Sequence, residues 1–130
     1  MGLILDTSFV VAMEREGRRG GHGATATFLD SHRGERFVIT FTVAGELACG
    51  RSASTFHGWQ QLWRPFPVLP WTRDVAWKYG EIYRQLQTVG TLIGANDMWI
   101  AATALVHGMG LVTSNISEFR RVPGLAVVTF

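Results

Sequence analysis

Asp6, Glu46, Asp97 and Glu118 each stand close behind or just inside an apolar run. Asp6 closes Leu3-Ile4-Leu5, and Glu46 follows Phe37-Val38-Ile39 by one loop and a helical turn. Asp97 heads the segment Asn96-Asp97-Met98-Trp99-Ile100-Ala101-Ala102, and Glu118 comes shortly after Leu111-Val112-Thr113. The chain has only ten Asp and Glu residues; Glu46 is the sole one between Glu35 and Asp74, and Asp97 the sole one between Glu81 and Glu118. A carboxylate in apolar surroundings is costly unless it is hydrogen-bonded, paired or bound to a cation. No Lys or Arg stands in these segments to pair with them. Converging carboxylates of that kind suit a hard divalent cation, Mg²⁺ or Mn²⁺.

Each of these residues also has a purely structural reading. Asp6-Thr7-Ser8 can cap a helix beginning near Ser8. Glu46 can be a solvated helical residue, although Val43, Ala44, Leu47, Ala48 and Cys49 leave it a narrow polar face. Asp97 near a helix N-terminus is favoured by the helix dipole. Asn115 can cap the turn after Thr113-Ser114, and Glu118 three residues later completes a capping-box pattern.

Other chemistries fit less well. The histidines at 22, 32, 57 and 107 have no zinc-site spacing among themselves or with the single cysteine. Gly20-Gly21-His22-Gly23 lacks the Gly-Lys-Ser/Thr ending of a phosphate loop. Ser8 has no Gly-x-Ser-x-Gly context. Phe56, Trp59, Leu62 and Trp63 at helical spacing read as core or interface before they read as a base-stacking platform.

The elements that would carry the carboxylates follow from periodicity and breakers. Gly2 to Leu5, Phe37 to Thr40, Leu111 to Thr113 and Ala126 to Val128 are short apolar or β-branched runs, expected as strands. Pro67-Val68-Leu69-Pro70 adds a short strand of edge character. Helices are expected from Ser8 through Met13, from Ala24 to His32, from a Thr42 cap to a stop at Gly50, and from Ser54 to Trp63. Two more run from Asp74 to about Leu86 and from Asn96 or Asp97 through Val106, stopped by Gly108. Glu14 to Gly23 reads as a charged, glycine-rich loop. Strands alternating with helices imply an α/β fold with a mainly parallel sheet of four to five strands. In such sheets ligands bind beyond the carboxyl ends of the strands, near a switch in strand order. Asp6 lies at such an end.

At 130 residues the chain is one domain, residues 1–130, with no internal repeat or linker. An apolar fraction of 47% with 17% charged residues places it in the globular class. The net charge of +2 is compatible with a polyanionic partner, but no long basic run accompanies it. A lone Cys49 precludes an intrachain disulfide and fits a reducing compartment. Asp6 interrupts the first apolar stretch before a signal-peptide core forms, and no stretch nears the roughly 20 apolar residues that span a bilayer. The expectation is a cytoplasmic protein with no membrane partner. Five tryptophans and eight phenylalanines exceed what a small core needs, so some are expected in an interface. Trp59, Trp63 and Trp99 are the candidates.

Four segments in this order resemble a known family: Leu5-Asp6-Thr7-Ser8, Thr42-Val43-Ala44-Gly45-Glu46-Leu47, Gly94-Ala95-Asn96-Asp97-Met98-Trp99-Ile100-Ala101-Ala102, and Leu111-Val112-Thr113-Ser114-Asn115-Ile116-Ser117-Glu118-Phe119. Together they look like the pattern of PIN domains. The ending Glu118-Phe119-Arg120-Arg121-Val122-Pro123-Gly124-Leu125 resembles the VapC toxins of bacterial type II toxin–antitoxin pairs. The resemblance implies a three-layer α/β/α fold, Mg²⁺- or Mn²⁺-dependent endoribonuclease activity, an RNA substrate, a cognate antitoxin and a homodimer. By motif position Asp6, Glu46 and Asp97 match the family's acidic residues, as metal ligands and catalytic groups. The fourth acidic position, often Asp in the family, is Asn115 here, and Glu118 is near enough to supply a carboxylate. Thr7, Ser8, Thr113 and Ser114 are candidate supporting donors. Two further readings remain open at this point: a catalytically weak module binding a protein or RNA, and a DNA-directed nuclease.

Overall fold

Leu3-Ile4-Leu5 form the middle of the sheet, because their side chains are apolar toward both faces and helices cover both. In a computed structural model, which describes residues 2–50 and 53–130, the chain runs β1 (Gly2–Leu5), α1 (Thr7–Arg18), α2 (Ala24–Ser31), β2 (Arg36–Thr40), α3 (Phe41–Ala48) and α4 (Phe56–Trp63). It continues with β3 (Val68–Leu69), α5 (Arg73–Thr88), α6 (Ala95–His107), β4 (Gly110–Val112), α7 (Ile116–Phe119) and β5 (Val127–Val128). The strand order is β3-β2-β1-β4-β5, and every pairing is parallel. Ile4 pairs with Val38 on one side and with Leu111 on the other. The short proline-flanked strand is an edge strand, as its sequence predicts.

This order puts the topological switch beside β1, which has β2 on one flank and β4 on the other. The carboxyl ends of β1 and β4 therefore lie side by side, and Asp6 N–H donates to Val112 O at 2.9 Å. Ile4, Leu5, Val38, Ile39, Leu111 and Val112 are fully buried, as are Phe9 and Phe119 on the flanking helices. Phe9 packs edge-on against Phe130 and Phe28, with centroids 4.8 and 5.6 Å away. Burying one such side chain stabilises the fold by about 2–3 kcal/mol. Trp59, Leu62, Trp63 and Trp99 are partly buried against this core, whereas Phe56 is exposed.

The structure differs from the sequence expectations at several helix boundaries. The first helix does not stop at Met13 but continues to Arg18, and Arg18 Nε pairs with Glu14 at 3.0 Å one turn away. The loop begins only where Gly20 and Gly21 take positive φ of 106° and 80°. The third helix is capped by Thr40, whose Oγ1 accepts from Val43 N–H at 3.1 Å, so Thr42 is an interior residue. The helix expected from Ser54 begins at Phe56 with Thr55 as its cap. That of Asp97 begins at Ala95 and ends on Gly108 in the left-handed conformation, at φ 63°. Among the described residues no helix is long and apolar enough to cross a membrane.

Candidate active site

Asp6 leaves β1 in an extended conformation and is the residue before α1, yet its side chain caps nothing. Instead the carboxylate is buried and accepts two hydroxyls on a single oxygen. Thr113 Oγ1 donates to Oδ2 at 2.7 Å and Ser8 Oγ donates to the same atom at 3.1 Å. Each hydroxyl has one proton to give and accepts a backbone N–H in return, Thr113 from Asn115 at 2.9 Å and Ser8 from Ser114 at 3.1 Å. The loop after β4 is thereby tied to the start of α1, and Asp6 is locked in one rotamer. Oδ1 has no hydrogen-bond partner among the described residues and is left available.

Glu46 lies on α3 in the middle of an apolar helix, and two polar neighbours orient it. Thr7 Oγ1 donates to Oε1 at 2.6 Å, and Asn96 Nδ2 approaches Oε2 at 3.4 Å. Asp97 is the third residue of α6. Asn115 Nδ2 donates to its Oδ2 at 3.3 Å. Asn115 precedes α7 without a side-chain cap, so its amide turns into the site where the capping-box reading had it facing its own helix. Ser114 contributes its backbone N–H; among the described residues its hydroxyl makes no hydrogen bond.

Asp97 shows that these carboxylates share one electrostatic neighbourhood. Its pKa is raised from 3.8 to about 7, first by burial, then by the charge of Asp6, by a carboxyl–carboxyl contact with Glu118 that favours the protonated form, and by the charges of Glu118 and Glu46. The α6 dipole acts the other way but is worth about 2 kcal/mol at most, under about two pKa units. Burial and like charge win. Among the described residues the ion pairs are Arg18 with Glu14, Arg33 with Asp30, and Lys78 with Glu81, so no pair neutralises the four site carboxylates.

The donor set is entirely oxygen, it carries excess negative charge, and no thiolate or imidazole belongs to it. That chemistry fits a hard divalent cation and not zinc. Among the described residues no three Asp, Glu, His or Cys side chains stand in ready-made ligating geometry. An ion that keeps several of its waters needs only one or two carboxylates as direct ligands.

Sequence reasoning missed two features of this site. One is Asn96, now a partner of Glu46. The other is a groove of about 440 Å³ that opens beside Glu46 and is lined by Phe41, Trp71 and Trp99. A signal for it was present: Phe41 directly follows β2 and Trp71 stands two residues after β3, both at carboxyl ends of parallel strands.

Comparison with known proteins gives consistent results. The PIN domain family model matches residues 3–125. Ribonuclease VapC1 of Rickettsia felis is 32% identical over 99% of this chain and 96% of its own length. Ribonuclease VapC of Rickettsia bellii is 30% identical with the same coverage. Among solved structures, VapBC2 from Rickettsia felis bound to a promoter DNA fragment superposes with a TM-score of 0.84 at 21% identity, covering 100% of this chain and 99% of that one. VapBC-1 from nontypeable Haemophilus influenzae superposes with a TM-score of 0.77 at 25% identity, covering 99% and 98%.

Proposed function

The chain belongs to the PIN-domain family, and on that premise we propose that it is a divalent-metal-dependent endoribonuclease, the toxin of a type II toxin–antitoxin pair, with residues 1–130 forming one PIN domain that acts in the cytoplasm. The observation that carries this reading is the cluster itself: Asp6, Glu46, Asp97 and Glu118 gather at the carboxyl edge of the sheet, among the described residues no cationic side chain is paired to them, and their mutual repulsion helps to hold the Asp97 pKa at about 7. Its relatives are named as ribonucleases, which directs the chemistry to an RNA phosphodiester.

In this reading Asp6, Asp97 and Glu46 hold Mg²⁺ or Mn²⁺ directly or through water. When bound, such an ion supplies Lewis acidity toward the phosphodiester and acidifies the attacking water. The chain's own residues do the rest. Thr113 and Ser8 hold Asp6 through Oδ2. Thr7 and Asn96 hold Glu46, and Asn115 steadies Asp97 without adding a fifth charge. Glu118, in contact with Asp97, adds a further carboxylate to the cluster. Water adds in line at phosphorus and the P–O3′ bond breaks, leaving a 5′-phosphate and a 3′-hydroxyl.

A protein antitoxin is the proposed regulator, since the solved relatives are VapBC complexes. A second copy of the chain is the other proposed partner. Trp77 on α5, 65% exposed beneath the Arg84 guanidinium, supports an interface there.

The test is cleavage of single-stranded RNA by purified protein in Mg²⁺ and in EDTA, beside a DNA oligonucleotide of the same sequence. RNA cleavage that requires metal and falls at least about a hundredfold in Asp97→Asn is expected. An Asp97→Asn protein as fast as wild type would reject the assignment. Preferential cutting of DNA would select the DNA-directed nuclease, and RNA binding without cutting the binding module.

A further inference from the structure

The groove beside Glu46 is not used by the carboxylate chemistry. Phe41 and Trp71 are 63% and 54% exposed, a costly arrangement for large aromatic side chains facing water. Neither is loose. Phe41 is the first residue of α3, directly after its Thr40 cap, and Trp71 stands between Pro70 and Thr72, whose Oγ1 accepts from Val75 N–H to cap α5. Trp99 lines the groove with them and is itself fixed, stacked on Tyr79 at 4.1 Å and meeting Trp71 edge-on at 6.1 Å. Among the described residues the rest of the lining is Thr42, Gly45, Glu46, Cys49 and Asn96, with no Lys or Arg, and Glu46 adds a negative charge. Such a groove disfavours a phosphate and suits a neutral planar ring with hydrogen-bonding edges, for which the Asn96 amide is at hand.

The geometry points to a nucleobase subsite: Phe41, Trp71 and Trp99 stack the unpaired base next to the phosphodiester that Asp6, Glu46 and Asp97 act on. This rests on the ribonuclease reading and deepens it, because Glu46 lines both places. Glu46, held by Thr7 and lining the groove, is the side chain the two places share. A base already stacked within a duplex has no free face to offer, so the substrate class is single-stranded RNA. The volume of about 440 Å³ lies within the range of pockets that hold small rings.

Two measurements test this. In the first, the cleavage site on a single-stranded RNA is mapped and the flanking nucleotides are replaced in turn by an abasic ribose. Trp71→Ala and Phe41→Ala are each expected to raise KM about tenfold with kcat little changed, Trp71→Phe to restore most of the loss, and the abasic RNA to cost wild type a similar factor. Combining Trp71→Ala with the abasic RNA adds no further loss if both remove one contact. Losses that multiply would overturn the subsite while leaving the ribonuclease intact.

The second measurement needs no cleavage and so stands even if the enzyme reading fails. Cys49 is the only cysteine, is exposed and lines the same groove. With Ca²⁺ in place of Mg²⁺, saturating single-stranded oligoadenylate is expected to slow iodoacetamide alkylation of Cys49 about tenfold, and duplex RNA of equal length to leave it unchanged. Unchanged alkylation under saturating oligoadenylate would overturn the proposal. So would protection that appears without RNA and grows with protein concentration, because a second copy of the chain then covers the groove.

Discussion

Thr113 Oγ1 donates to Asp6 Oδ2 across 2.7 Å, joining two residues 107 positions apart at the carboxyl ends of neighbouring parallel strands. Thr113 is fully buried and its hydroxyl also accepts the Asn115 N–H. Thr113→Val keeps the shape but leaves a buried carboxylate short of a donor and a backbone N–H without an acceptor. The expected cost is about 2–3 kcal/mol in urea unfolding. Thr113→Ser, which retains both hydrogen bonds, is expected to cost under about 1.5 kcal/mol. Equal losses in the two variants would show that the methyl group, not the hydroxyl, matters.

The Asp97 pKa of about 7 makes a prediction for the metal-free protein. The folded state holds this proton up to about pH 7, whereas the unfolded chain releases it near its ordinary 3.8. The stability contributed by Asp97 is therefore fully present below about pH 4 and lost as pH rises through about 7. In EDTA, Asp97→Asn is expected to flatten the fall in melting temperature between about pH 4 and pH 7. Mg²⁺ competes with the proton, so its stabilising increment should be larger above pH 7 than below it. A Mg²⁺ increment independent of pH would remove Asp97 from the metal site.

Asn115→Asp replaces a donor to Asp97 by a like charge. Without metal the variant is expected to melt about 4 °C or more below wild type, because another carboxylate joins an unneutralised cluster. With Mg²⁺ the order of the increments reverses, the variant gaining more than wild type. Differential scanning calorimetry with and without EDTA measures both. A variant indifferent to metal would mean that position 115 lies outside the ion's reach.

Away from the site, Glu16 of α1 caps α2. Its carboxylate accepts Thr25 N–H at 3.1 Å and Thr25 Oγ1 at 2.6 Å, and Gly23 makes room, since a Cβ there would lie 2.5 Å from that carboxyl. Glu16→Ala and Gly23→Ala are each expected to cost about 1–2 kcal/mol. In the double variant the losses should not add, because Gly23→Ala acts by displacing Glu16. Additive losses would mean that Gly23 serves the turn alone.

Much of this protein is determined by local chemistry. Apolar runs such as Leu3-Ile4-Leu5 and Leu111-Val112 specify strands buried on both faces, proline confines Val68-Leu69 to an edge, and Gly108 stops α6 in the left-handed conformation. The scarce carboxylates, each next to an apolar run, marked Asp6, Glu46, Asp97 and Glu118 before any contact was known. Composition misled where it was averaged: Glu14 to Gly23 is rich in glycine and charge, but an i,i+4 ion pair carries α1 to Arg18.

What only the tertiary structure decided depends on distance along the chain. Capping preferences act over three or four residues, so they assign Asn115 to its own helix; packing sets its amide against Asp97, 18 residues away. Asp6 likewise takes a partner from Thr113, just beyond β4, besides the local Ser8, and Glu46 takes its partners from α1 and α6. The Asp97 pKa has no local cause, since burial and three carboxylates from other elements produce it. The β3-β2-β1-β4-β5 order makes those meetings possible, by setting the ends of β1 and β4 side by side.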